Sequence, residues 1–252
     1  ATKPPPDDWC YVYNFTNPHQ PNALRIPTGQ ANELRADIAA FLSRLQVEIG
    51  RVFDGPEYQK RQSDLTNSLD NKRRQAILRL ESKATEVSST LGATPALHGL
   101  QPPIVLHLTP TPTGLAITAT QSDKPLTTQQ LSQLSKEAQE TLQLHSSHLN
   151  RVLDEALLEL RQGEREVRAK LTDLAKTVAR ALAIQLADDL FQRWEAVEEV
   201  PNYLHQVCND VSNNVDKFPT TASNEAPPLP TSGPFPEEFF SRYHVNVLVD
   251  NS

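Results

Sequence analysis

"DDWCYVYNFTNPHQPNALRIPTG", residues 7–29, decides how the chain is read. Residues 9–15 have the aromatic and β-branched content of a strand, apolar on most positions of both faces, and are bounded by prolines and by Asn17-Pro18. Such a strand wants cover on both sides, as in a parallel sheet. Residues 16–29 then read as a proline-punctuated loop, and Asp7 and Asp8 as a turn ahead of the strand. Over residues 30–53, Leu34, Ile38, Phe41, Leu42, Leu45 and Ile49 recur at helical spacing, which predicts an amphipathic helix with Asn32 as a candidate cap. A second strand of the buried type, "RYHVNVLVDN" at residues 242–251, stands at the far end. The two are expected to lie side by side, or both to be poorly ordered without the rest of their sheet.

Between these strands the periodicity is helical. Residues 56–91 read as one rod, with Pro56 in the first turn and Gly92 at the end; Tyr58, Leu65, Leu69, Ala76, Leu80, Val87 and Leu91 fall near a seven-residue repeat. The runs "IVLHL" (104–108) and "LAITAT" (115–120), separated by "TPTPTG", predict a hairpin too small to stand alone, packed as a tip on the helices beside it. Residues 126–194 contain no proline and start at a capping Thr127 or Thr128. A break is expected near Gly163 or between His145 and Leu149, since glycine weakens a helix. A shorter amphipathic helix follows over 201–215. The predicted class is mainly α: a long antiparallel helical coiled-coil bundle with a small β-hairpin tip and two terminal strands of an interrupted α/β sheet. Its segments are 1–53 (strand, loop and helix), 54–94 (long helix), 95–125 (tip), 126–217 (helical return), 218–237 (Pro-rich linker) and 238–252 (terminal strand).

Composition narrows the function classes. A formal net charge of −7 gives no basic field for nucleic acid or an anionic membrane, and "KRRQ" at 72–75 reads as a solvated helix face. Two cysteines far apart make neither a metal cluster nor a disulfide framework, which favours a reducing cytoplasm. No apolar run approaches a membrane span. A chain that opens on Ala1 and has no Met reads as an excised piece. The glycines are solitary, so no phosphate-cradling loop is present in this stretch. Cys10 and Cys208 read as buried thiols, and His145 and His148, at i and i+3, lack the further ligands that a metal needs. No catalytic, cofactor-binding or metal-ligating set emerges.

The two end motifs together resemble the Lon-like AAA+ ATP-dependent proteases, in the branch whose ATPase module is interrupted by a large helical insertion. The resemblance rests on Asp8-Trp9, Tyr11 to Phe15, Pro18, Pro21, Ala23-Leu24, Pro27 and Gly29, then on Arg242-Tyr243 and Val245 to Asn251. The middle agrees only in character and in positions such as "VFDGPEYQKR". In that family the phosphate loop lies upstream of such a stretch, and a protease domain with a Ser/Lys dyad lies downstream. The resemblance therefore implies a non-catalytic insertion, with ATP and serine endopeptidase activity belonging to the parent. It also implies a hexameric ring over whose entrance the helices recognise or gate unfolded polypeptide. Pro18, Leu24 and Ile26 would fall where such proteins face the central pore.

At the tip, Leu97, Leu100, Ile104 and Val105 are candidate contacts because unfolded chains are recognised by apolar area; the alternative is that they form the hairpin's own core. A competing reading of the whole chain is a coiled-coil structural or assembly module of a chromosome-maintenance ATPase. Its acidic charge, short rods and β tip weigh against that.

Overall fold

The computed structural model describes residues 6–97, 102–111, 114–122, 124–217 and 237–251, and the linker expected over 218–237 falls outside them except for its last residue. The chain divides into two compact units, one formed by residues 1–63 and 170–252 and the other by residues 64–169.

In the first unit, β1 (Asp8–Val12) is the middle strand of a three-stranded sheet in the order β2-β1-β6. The flanking strands are β2 (Asn22–Ile26) and β6 (Asn246–Val249), and both pair with β1 antiparallel. The two end segments therefore do lie side by side. The parallel, doubly covered strand does not form. Asp8, Cys10 and Val12 are buried while Trp9 and Tyr11 stay exposed, the one-sided pattern of an antiparallel sheet. Antiparallel pairing also explains why part of the expected loop is a strand: a short turn after Asn14 returns the chain to β1, with Cys10 opposite Leu24 and Asp8 opposite Ile26. Asn14 holds that turn, accepting the backbone N–H groups of Thr16 and Asn17 and donating to the Gln20 carbonyl.

Helix α1 (Ala31–Asp54) buries Leu34, Ile38, Phe41, Leu42, Leu45, Ile49 and Phe53, so the helical spacing reads correctly. Its cap is not Asn32, which lies inside the helix. The Asp8 carboxylate accepts the Ala31 N–H at 3.1 Å instead. Gly29, at φ 78°, takes the left-handed conformation in the turn that leads into the helix, where a side chain would be strained.

Opposite α1 lies the C-terminal part of α4 (Lys136–Arg193), whose Ala175, Ala179, Ala183 and Ala187 recur every four residues and are buried. Helix α5 (Glu199–Asn213) closes the core with Val200, Tyr203, Leu204, Val207 and Val211. Phe239 and Phe240 of α6 (Glu237–Ser241), with Tyr243, complete it.

In the second unit, most of α2 (Pro56–Ala93) runs beside the N-terminal part of α4. A hairpin of β3 (Ile104–Thr111) and β4 (Gly114–Gln121), with β5 (Lys124–Pro125) on its far side, packs on these helices as expected. The Ser88 hydroxyl accepts the Leu106 N–H at 2.9 Å, which pins the hairpin to α2.

The helical break is displaced from its expected place. Helix α4 runs without interruption through His145 to Leu149 and through Gly163; the break falls at Leu134 and Ser135, after the short α3 (Thr128–Gln133). Local side-chain chemistry decides this. Thr127 and Gln130 form a capping box at the start of α3, and the Ser135 hydroxyl accepts the Ala138 N–H at 3.2 Å at the start of α4. The Gln139 amide donates to the carbonyls of Leu131 and Leu134, satisfying groups that the end of α3 would otherwise leave open. Gly163 costs about 1 kcal/mol against alanine, too little to break a helix packed along its length.

Candidate functional site

The substrate-contact candidates separate by burial. Ile26 is 0% exposed and Leu24 3%, both inward on β2 in the first core, so neither can touch a polypeptide while that core is closed. The loop expected to face a pore is, over 22–26, a strand with alternate residues inward, which places these two side chains in the core. Pro18 is exposed in the turn before β2. At the tip, Leu97 and Ile104 are buried with Leu106, Ala138 and Leu142, so the alternative of a hairpin core holds for them. Val105 is half-buried on the other side of β3, and Leu100 lies outside the described residues.

Exposed apolar side chains occur elsewhere. In the first unit they are Trp9, Tyr11, Leu248 and Val249 on the outer side of the sheet, where Val249 pairs with Trp9, together with Val47 on α1 and Ile184 on α4. In the second unit they are Ile77 and Leu78 on α2, and Leu144 and Leu158 on α4. Leu144 and Leu158 are spaced by two heptads and are 69% and 67% exposed. A search by apolar periodicity alone misses them, since they sit outside the buried stripe.

Two buried polar clusters lie in the first unit. Asp8 is enclosed at the start of β1, where its carboxylate accepts the N–H groups of Ala31 and, at 2.8 Å, of Asn251. The Asn251 amide donates to the Asp7 carbonyl at 3.0 Å, so three chain segments meet at one acidic group. Burial acts to raise the Asp8 pKa, but backbone donors at Asn251, Ala31, Gly29 and Gln30 outweigh it and hold the carboxyl below its usual value.

The second cluster joins α5 to the segment before β6. The Arg242 guanidinium pairs with Asp210, and the Tyr243 hydroxyl donates to the same carboxylate at 2.6 Å. The Tyr203 hydroxyl donates to the Tyr243 carbonyl at 2.8 Å. Arg242 also stands 4.0 Å from the centre of the Phe239 ring. Burial pushes the Tyr243 phenol far up, with the Asp210 bond adding to it. The Arg242 and Asp210 charges face each other, while the buried Arg242 Nε–H is without a hydrogen-bond partner among the described residues, and the arrangement ties α5 to the segment before β6.

Both thiols are buried. Burial pushes Cys10 up to about 11 and Cys208 up to about 12, far from the thiolate a nucleophile needs. His148 Nδ1 lies 3.4 Å from an Arg151 guanidinium nitrogen. No group of three or more His, Cys, Asp or Glu with metal-binding geometry occurs among the described residues. No helix of the described residues is long and apolar enough to cross a membrane.

A concave surface lies on the hairpin of α2 and α4. A cavity of about 520 Å³ is lined by Ala76, Leu80, Val152 and Ala156, with Arg79 and Lys83 on one side and Glu155 and Glu159 on the other. It adjoins a second cavity of about 310 Å³ that shares Ala76, Arg79 and Glu159 and reaches Leu69 and Gly163.

Residues 8–41 match the family model of the Lon-like LonC helical domain. The match covers β1, β2 and the first half of α1. No curated protein shows significant similarity to the chain.

Proposed function

We propose that this chain is a helical accessory region of a Lon-like protease that holds or gates unfolded polypeptide above a ring of six subunits, with peptide hydrolysis carried out elsewhere in the parent. The observation that carries the reading is the Lon-like helical-domain match over residues 8–41. It falls on the stretch whose sequence carried the resemblance, and the strand at the far end of the chain pairs with it in one sheet. The two clusters lie within the first core, where Asp8 is held by backbone N–H groups and Asp210 by Arg242 and Tyr243, which supports a role as scaffold.

Recognition on this reading runs through accessible apolar area: Trp9, Tyr11 and Leu248 on the sheet, and Leu144 and Leu158 on α4. The buried Leu24, Ile26, Leu97 and Ile104 support it as scaffold.

Fluorescence anisotropy of a labelled, permanently unfolded protein, titrated with the full chain, tests the reading. A saturable rise that the native form of the same protein does not give is expected, and Leu144→Ser with Leu158→Ser should weaken it. A flat titration up to high chain concentration sinks the substrate-holding role.

A further inference from the structure

The hairpin of α2 and α4 is incompletely covered. From residue 64 to residue 79 no side chain of α2 is buried, although Leu65, Leu69 and Ala76 recur on the side that meets α4. On α4, Val152, Ala156 and Leu160 are likewise only half-buried. Two helices shield one stripe from each other and leave the adjoining stripe to solvent; bundles of four helices cover both. The two adjoining cavities mark this open stripe, and 14 residues separate Leu69 from Lys83 along it, about 21 Å of helix at 1.5 Å rise per residue.

The charges along the stripe say what covers it. Lys72, Arg79 and Lys83 line it from α2, Glu155 and Glu159 from α4. Lys83 pairs with Glu86 of its own helix and Arg73 reaches across to Glu164, but Arg79, Glu155 and Glu159 have no ion-pair partner among the described residues. Opposite charges thus share one cavity without meeting each other. An occupant that satisfies both rows must present carboxylates to α2 and cations to α4 at the same level along the hairpin.

A second copy of the same hairpin does this by symmetry. A two-fold axis along the hairpin sets the α4 of one copy beside the α2 of the other, antiparallel as within each hairpin. It keeps Arg79 level with Glu159 of the second copy, because both line the same cavity in the first. The half-buried Ala76, Val152 and Ala156 then face the axis. Within an α-helix, Arg79 follows Ala76 and Leu80 round to the flank, the position from which coiled-coil charges choose partners. We propose that this stripe is a homodimer interface, an antiparallel four-helix bundle of two α2/α4 hairpins held in register by Arg79 and Glu159 of opposite copies.

Sedimentation equilibrium of the full chain tests this over a hundredfold range of concentration, with circular dichroism to verify that each variant keeps its helices. The wild-type chain is expected to form dimers. Arg79→Glu alone and Glu159→Arg alone should each weaken the dimer by about tenfold or more, since like charges then face each other across the interface. The double variant Arg79→Glu, Glu159→Arg should restore it, an outcome that a merely local effect of either substitution does not give. A monomer at every concentration overturns the proposal. So does a dimer indifferent to both single reversals, which places the interface elsewhere. If the wild-type chain stays monomeric and Arg79→Glu lowers its affinity for unfolded polypeptide, the groove belongs to substrate and the homodimer is refuted, while the substrate-holding reading stands.

Discussion

Removing the Asp8 carboxylate should loosen the first unit out of proportion to the size of the change. In Asp8→Ala, the N–H groups of Ala31 and Asn251 lose an acceptor at 3.1 and 2.8 Å, the first in a buried bond and the second in a half-buried one. Each buried donor left open costs about 1–3 kcal/mol, and loss of a helix cap typically about 1 kcal/mol. Counting the Ala31 bond once, as both cap and donor, a total of about 2–4 kcal/mol is expected. The readout is favourable because Trp9 and Trp194, the two tryptophans of the chain, both lie in this unit. At a urea slope of about 2 kcal/mol/M, the tryptophan fluorescence midpoint should fall by about 1–2 M.

The pH dependence has a defined sign. The folded pKa of Asp8 lies below its unfolded value, so its contribution is present above the unfolded pKa and is lost as pH falls through the folded one. Between pH 5 and the acid limit, wild-type stability should therefore decline more steeply than that of Asp8→Asn, which keeps the shape but not the charge. If Asp8→Ala unfolds within about 0.5 kcal/mol of wild type, the level expected of an ordinary surface change, the reasoning is refuted.

Other consequences are open to measurement. Ile26→Ala should cost about 2–5 kcal/mol by the same fluorescence assay, the range for large-to-small changes in a core; an unchanged midpoint would put Ile26 back among accessible contact residues. Gly163→Ala should raise the melting temperature of the helical signal, stabilising by about 1 kcal/mol, because a methyl there meets Leu69 and Lys72 at 3.7 and 4.0 Å, ordinary contact distances. A lowered melting temperature would show that the second unit needs a closer approach at this point. Cys10 and Cys208 should react with an aromatic disulfide reagent at pH 8 only after denaturation, since burial raises both pKa values well above that pH. Rapid release of even one equivalent from the folded chain contradicts this.

The helices were legible because apolar spacing over many residues averages out local noise. Leu34 to Ile49 in α1 and Tyr203 to Val211 in α5 repeat their pattern several times and are buried as the spacing requires. Short elements were harder to read. In β2, "NALRI" alternates over only five residues between prolines, and its inward Leu24 and Ile26 could not be told from loop residues without the partner strand. The break at Leu134 and Ser135 depends on the hydroxyl of Ser135 and the amide of Gln139, polar groups that a search for glycine overlooks. Asp8 was invisible as a cap because the helix it serves begins 23 residues later. At the tip, Leu97, Ile104 and Val105 are alike in composition, and composition does not distinguish a hairpin's inward face from its outward one.

The pairing of β1 with β6 also fixes how the first unit meets a mechanical load. Trp9 stands opposite Val249, and Asp8 receives a bond from Asn251, so the N-terminal end of one strand lies beside the C-terminal end of the other. Tension applied through the two ends is borne first by the Asp8 and Asn251 contacts and then by the ladder bonds one at a time, as in opening a zipper, whereas strands pulled in shear load all their bonds together. The sheet should therefore yield at low force when drawn from its ends, and the extension trace should begin with release of β6 from β1 before the helices of the first unit give way.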